Sequence, residues 1–331
     1  MTNVVSIQLT SGPNVQANLL VVSKYLKEIS QKKTKLVVLP ENFALMPEHD
    51  AEYLVHAETE GEGPIQEFVS EHAKKYKLWI IAGTIPIKTN DPKKVTSTTF
   101  VYNDVGEIVS RYDKIHLFDV ELPNSEESYN ESEVFSHGNQ IQVIDTPIGV
   151  VGIAICYDLR FPEIFRLQHK HNVQVIVLPA AFTEQTGKVH WETLVKARAI
   201  ENLCYVVTAC QDGYHISGTR KHGNSMIVNP WGQIMSRINS GDGYNYLLND
   251  LNNHKFDVVF LFGQDNLVFN KKDEFVIYIG SHGDAGAGIA DIILPGSAYT
   301  EQDGYFTNLE GKLQKAFKAS YPPGDAKEDW E

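Results

Sequence analysis

The chain has 331 residues, 42% apolar and 21% charged, enough apolar material for a sizeable core and too little charge for a disordered chain. Its 42 acidic residues against 29 lysines and arginines leave a net charge of −13, which argues against a general nucleic-acid binder or a ligand for anionic membranes. Three cysteines, Cys156, Cys204 and Cys210, are too few for a disulfide scaffold, a four-cysteine zinc site or a cysteine-ligated iron–sulfur cluster, and they read as a reducing compartment.

In chain order, the start reads as a strand over 4–10, with neither a basic leader nor a long apolar stretch behind it. With no run of about 18 apolar residues anywhere, membrane insertion is not expected and a cytoplasmic location is. A helix follows over 15–30, a strand over 35–39, a helix over 64–76 and a strand over 78–83. Strands over 98–102 and 107–112, joined by the turn residues Asn103 to Gly106, read as a hairpin. Beyond it come a strand over 150–156, a helix over 162–169 that Asp158 helps to start, a strand over 173–178, a helix over 191–200, and strands over 204–209 and 225–228. Alternating strands and helices predict an α/β architecture with mixed sheets. A turn-rich stretch over 239–243 then separates two compositions. All six arginines and all three cysteines precede it, whereas 241–331 carries fifteen acidic residues, seven lysines and no arginine. Two domains are therefore expected, 1–240 and 241–331.

Three reactive side chains sit at predicted strand ends. The apolar run into Cys156 gives way at Pro162 to a helix, and a strand-to-helix turn exposes its side chain at the carboxyl edge of the sheet. The alternative is a buried cysteine acting as a small apolar residue. Glu41 follows the strand over 35–39 and Pro40, and Lys114 follows the strand over 107–112. Taken singly, Glu41 reads as a solvated acid and Lys114 as a surface charge. Together the three supply a base, an oxyanion stabiliser and a nucleophile, which suffices for acyl transfer. His169 and His171 fall in a polar run and read as surface, and Cys204 and Cys210 read as packed in an apolar strand region.

These residues carry a resemblance. The segments Leu39 to Phe43, Tyr112 to Phe118 and Gly152 to Glu163 occur in the order and spacing of the nitrilase superfamily, the carbon–nitrogen hydrolases. Further support comes from His190-Trp191-Glu192, Ala197 to Asn202, and His222 to Gly232. Phe118 to Pro123 and Thr186 to Trp191 resemble, more narrowly, the amidases that act on deaminated glutathione and the omega-amidases. The resemblance implies a four-layer αββα sandwich over 1–240, with Cys156 as nucleophile and Glu41 as general base. Lys114 and the backbone N–H of Tyr157 would stabilise the oxyanion, and Glu131 would position substrate and base. Arg160 either forms a structural ion pair with Glu163 or meets a substrate carboxylate. The implied reaction is hydrolysis of a small linear amide through a thioester, releasing ammonia, with no metal or organic cofactor. Family members of this kind pack their tails across a dimer interface, so a homodimer is the implied assembly.

From about residue 256 the chain resembles instead the carboxyl-terminal part of the large subunit of respiratory NADH dehydrogenase, complex I. The likeness rests on Asp257 to Gly263, Gly280 to Gly286, Ala290 to Glu301, Asn308 to Gly311 and Pro322 to Trp330. It implies a gene fusion whose segment of different origin replaces the usual ending of the first domain; residues 257–263, 275–280 and 291–295 read as strands, which gives that segment an α/β character. Gly283 to Gly288 could be read as a phosphate cradle, but it lacks the spacing of a dinucleotide fingerprint, and a tight glycine loop is the simpler reading. The alternative to an amidase is then an inactive fusion or fragment whose tail binds respiratory-complex partners.

Overall fold

The computed structural model describes residues 3–32, 34–121, 128–246, 258–262, 271, 274–280, 285–295, 304–307 and 313–316. It divides into two compact units, Met1–Leu247 and Leu248–Glu331. The division lies a few residues beyond the turn-rich stretch, because the strand Gly243–Tyr246 belongs to the first unit and pairs antiparallel with Asn3–Gln8.

Two sheets form the middle of the first unit. In the first, Asn3–Gln8, Thr34–Val38 and Trp79–Ile81 run parallel, and Val95–Tyr102 joins them antiparallel. Val95–Tyr102 in turn pairs with Ile85–Lys88, Ile108–Asp113 and Phe135–Ser136. In the second, Gly149–Ile153, Val175–Ala180 and Tyr205–Cys210 run parallel, and Gln142–Thr146, Met226–Val228 and Ile234–Arg237 flank them antiparallel. The hairpin read over 98–112 is present: Asn103 N–H donates to Glu107 O at 3.0 Å. Gly106, at φ 85°, is required there, since a Cβ would lie 2.6 Å from the Ser70 carbonyl oxygen.

Strand alternation sorts the core into layers. On Thr34–Val38 and the residue after it, Val37 and Leu39 face the helices Val15–Ser30 and Pro64–Tyr76, burying Leu19, Val22, Leu26, Ile65 and Val69. Leu36 and Val38 face the other way, into a core shared with the second sheet and the helices Pro162–His169 and Glu192–Asn202. This is the four-layer αββα sandwich. Between the sheets, buried polar side chains are matched. Gln8 Oε1 accepts from Ser225 N and Oγ, both at 2.9 Å, and Ser6 Oγ donates to Asn245 Oδ1 at 2.6 Å. Among the described residues no helix is long and apolar enough to cross a membrane.

Three helices lie where their local signals put them. Asn14 caps Val15–Ser30 through Ala17 N–H, and proline opens both Pro64–Tyr76 and Pro162–His169. Two expectations change. The strand read over 150–156 leaves the ladder after Ile153, and Cys156 begins a short 3-10 turn, Cys156–Arg160. Asp158 does not cap the following helix, whose N-cap is Phe161; its carboxylate turns back to the Ile155 N–H at 2.9 Å.

In the second unit, Val258–Phe262, Phe275–Gly280 and Ile292–Pro295 form a parallel sheet in chain order, at the three places read as strands. The short helix Ala285–Gly288 follows the second strand. Asp291 accepts from Val276 N–H at 2.7 Å and pairs with Lys271 at 2.6 Å, over buried Val276 and Tyr278. Gly304–Thr307 and Leu313–Ala316 pair antiparallel. The motif residues 257, 263, 281–284, 296–301, 308–311 and 322–330 lie outside the described residues.

Candidate active site

The site assembles where strands of both sheets end. Glu41 follows Thr34–Val38, Lys114 follows Ile108–Asp113, and Cys156 follows Gly149–Ile153. Each is pinned by backbone contacts as well as by its side chain. Gln211, at the end of Tyr205–Cys210, donates to Glu41 O at 2.9 Å and to Ser11 Oγ at 2.9 Å. Asn42, in the left-handed region at φ 56°, bonds through N–H to Thr84 Oγ1 at 2.8 Å. Lys114 N–H bonds Ser97 O at 3.0 Å. Cys156 is held at φ 45°, a conformation a side chain adopts only under constraint, which turns it out of the strand direction.

The side chains converge. Lys114 is 2% exposed; its Nζ lies 2.8 Å from Glu41 Oε1 and 2.9 Å from both carboxylate oxygens of Glu131. Glu131 Oε2 also accepts Phe118 N–H at 2.6 Å. The Cys156 thiol shares this pocket with the Glu41 carboxylate, and Glu41, Lys114 and the Ala181 N–H all act on it electrostatically. Glu41, Lys114, Glu131, Cys156 and Tyr157 all line one pocket of about 360 Å³, together with Tyr53, Phe118, Tyr129, Phe135 and Phe182.

Charge balance governs what this cluster can do. Burial would lower the Lys114 ammonium, but Glu131, Glu41 and Cys156 outweigh it and hold it well above the usual 10.5. Burial raises the Glu131 carboxyl above its usual 4.5, with Glu41 adding to the rise and Lys114 opposing it. Burial and Glu41 likewise push the Cys156 thiol well up, against Lys114 and the Ala181 N–H. A standing thiolate is therefore disfavoured in the resting site. Proton transfer from sulfur to Glu41 would leave the net charge of the cluster unchanged, so the arrangement can form a thiolate without adding charge to the site.

Arg160 does not appear among the described residues lining the pocket. Its guanidinium lies over the rings of Tyr157 and Phe182, 5.8 and 5.5 Å from their centres, with Nη2 3.3 Å from His190 Nδ1. It supports two wall residues. Cys204 and Cys210 are buried, each thiol pushed up to about 12 chiefly by burial. His169 and His171 are exposed.

Two features escaped the reading of the residues. Asp158, fully buried, accepts from Tyr112 Oη at 2.6 Å, His116 N at 3.0 Å and His116 Nδ1 at 2.7 Å, as well as from Ile155 N. It ties the segment flanking Lys114 to the turn carrying Cys156. His116 is stacked on Phe161 with ring centres 3.6 Å apart. The other is Lys221, buried in the pocket wall. The Tyr112 and His116 spacing around Lys114 was visible in the sequence; nothing local marked Lys221.

The model of the carbon-nitrogen hydrolase family matches residues 3–250. A deaminated glutathione amidase of Yersinia enterocolitica is 40% identical over 236 residues, 71% of this chain and 82% of that protein. Omega-amidase NIT3 of Saccharomyces cerevisiae is 34% identical over 243 residues, again 71% of this chain and 82% of that protein. The crystal structure of Saccharomyces cerevisiae Nit3, a member of the nitrilase superfamily, superimposes with a TM-score of 0.67 at 30% identity, covering 75% of this chain and 90% of that one.

Proposed function

We propose that this chain, which belongs to the carbon-nitrogen hydrolase family and is an amidase, hydrolyses a short linear amide with Cys156 as nucleophile, Glu41 as general base and acid, and Lys114 and the Tyr157 N–H as oxyanion donors. The observation carrying this reading is the Lys114 ammonium held between Glu41 and Glu131 in the one pocket that Cys156 also lines. The Cys156 proton passes to Glu41 as sulfur attacks the amide carbon, and the carbonyl electron pair moves onto oxygen beside Lys114. Collapse breaks the carbon–nitrogen bond, Glu41 returns the proton to nitrogen, and ammonia leaves. Glu41 then takes a proton from water, whose oxygen attacks the thioester and releases the acid and the thiol. Glu131 holds Lys114 and, through Phe118 N–H, the loop beside it. A preorganised oxyanion donor contributes roughly 3–4 kcal/mol in such chemistry.

Deaminated glutathione and omega-amides of small acids are the substrates we propose, on the likeness to the two named relatives. Release of the amine fragment from deaminated glutathione and of ammonia from the omega-amides, with Cys156→Ala alongside, tests the reading: turnover in the alanine variant equal to that of the native chain would remove Cys156 as the nucleophile. A homodimer is the proposed assembly. Ile200, Leu203, Trp231 and Met235 are all half or more exposed, and Ile200 lies against Gly232 next to Trp231. Sedimentation velocity separates dimer from monomer. We read residues 241–331 as a segment related to the complex I large subunit, without a catalytic group, on the sequence likeness of Ala290 to Glu301 and Pro322 to Trp330.

A further inference from the structure

One buried side chain outside the catalytic cluster ties both of its halves together. Gln211 follows the strand Tyr205–Cys210 and is wholly buried. Its backbone N–H donates to Ala180 O at 2.8 Å, and the residue after Ala180 is Ala181, whose N–H acts on Cys156. Its side-chain Nε2 donates to Glu41 O and to Ser11 Oγ, both at 2.9 Å, while its Oε1 accepts from Ser11 N at 3.0 Å. Ser11 Oγ donates onward to Phe43 O at 2.8 Å. Both N–H donors and the carbonyl of the amide are thus engaged. The two sheets are laced together at the same level: Leu9 N–H donates to Cys210 O at 3.2 Å and Asp212 N–H to Leu9 O at 2.8 Å.

The chemistry asks for such an anchor. A base that takes a proton and returns it must keep a carboxylate oxygen free, so Glu41 cannot be locked by partners as Asp158 is. Lys114 holds its Oε1 at 2.8 Å. The rest of the precision has to come from the main chain, where Asn42 sits at φ 56° on Thr84 and the Glu41 carbonyl ends on Gln211. A neutral amide suits that place, because it neither titrates nor adds charge to a cluster with two carboxylates on one ammonium.

We propose that Gln211 is a positioning residue for the reaction: it clamps the backbone of Glu41, in the first sheet's half of the site, to the strand ends of the second sheet and so sets the base at its working distance from Cys156. The proposal rests on the amidase reading.

The test uses the full chain, with succinamate for ammonia release and p-nitrophenyl acetate for the burst in which the Cys156 sulfur–carbon bond forms as the carbon–oxygen bond breaks and p-nitrophenolate leaves. In Gln211→Met, kcat for succinamate falls about 10- to 100-fold and KM stays within about threefold, since substrate contacts are untouched and only the reacting geometry shifts. A loss carried mainly by KM overturns the proposal. The burst is then read as a double-mutant cycle with Glu41→Gln. Gln211→Met slows the burst in the native background and leaves it unchanged within about twofold in the Glu41→Gln background, because a residue acting through Glu41 has nothing left to position. Equal slowing in both backgrounds marks a merely structural glutamine and overturns the proposal. If Gln211→Met does not fold, Ser11→Ala takes its place in both measurements: it strips the hydroxyl from the clamp and lowers kcat about three- to tenfold at native KM, and an unchanged kcat overturns the proposal as well. Absence of ammonia release by the native chain counts against the amidase reading, whereas an additive ester cycle counts against Gln211 alone.

Discussion

Asp158→Asn is the most informative single change, because it exchanges one carboxylate oxygen for an NH2 group and keeps the shape. The native carboxylate accepts four hydrogen bonds: His116 N and Nδ1 on one oxygen, Tyr112 Oη and Ile155 N on the other. An asparagine offers one accepting oxygen and one donating NH2. If the oxygen stays toward His116, the NH2 meets the Tyr112 hydroxyl, which can reverse its role, and the Ile155 N–H, which cannot. If the amide flips, the His116 backbone N–H faces a donor instead. Either way one buried backbone N–H loses its partner, at about 1–3 kcal/mol, and the remaining bonds lose the help of a negative charge. The sum is about 3 kcal/mol. For a unit of this size that is a fall of roughly 6–12 °C in Tm. Turnover falls further than stability implies, because Asp158 spans the Lys114 and Cys156 segments and a displacement of about 1 Å between reacting groups costs on the order of 100-fold. Thermal unfolding and steady-state ammonia release read the two effects separately. Tyr112→Phe removes one of the four bonds and falls between the native protein and Asp158→Asn on both scales. An asparagine variant with native Tm and kcat within twofold would falsify the bracing role.

Iodoacetamide at pH 8 labels Cys156, where Glu41 can take the thiol proton, and leaves Cys204 and Cys210 unlabelled, since burial pushes both thiols up to about 12; peptide mass spectrometry locates the adduct. The pH profile follows from the raised carboxyl and ammonium: Glu131 gains its proton as pH falls through a value above 4.5, so kcat/KM declines on an acid limb above that of an ordinary glutamate. Lys114 keeps its proton beyond 10.5, so no alkaline limb from its deprotonation occurs below pH 10, and a loss centred near pH 9 that vanishes in Glu131→Gln contradicts the assignment. A chain ending at Leu247 folds and releases ammonia. One ending at Ser240 aggregates, because it strips the strand Gly243–Tyr246 from the edge at Asn3–Gln8 and orphans Ser6, Gln8 and the Ser225 carbonyl; equal solubility of the two chains by size-exclusion chromatography rules this out.

What local chemistry specifies was legible along the chain. Val15–Ser30, Pro64–Tyr76 and Pro162–His169 begin and end as read, because an asparagine cap, two opening prolines and helical periodicity act within a few residues. Glu41, Lys114 and Cys156 were legible for a similar reason: each follows a strand read from the sequence, and the carboxyl edge of an α/β sheet is where such side chains are exposed. The αββα layering rests on the same alternation of faces. What depended on pairs distant in sequence was not legible. The strand at 150–156 stops at Ile153 because Cys156 must turn at a positive φ. Asp158 resembles a helix-starting acid until Tyr112 and His116, more than forty residues away, close on its carboxylate. Lys221, between Arg220 and His222, looks like a solvated lysine on a polar strand. Burial depends on what the chain elsewhere brings against a side chain, so only the pairing of its strand and the packing of Tyr129 and Thr183 around it place that charge inside the pocket.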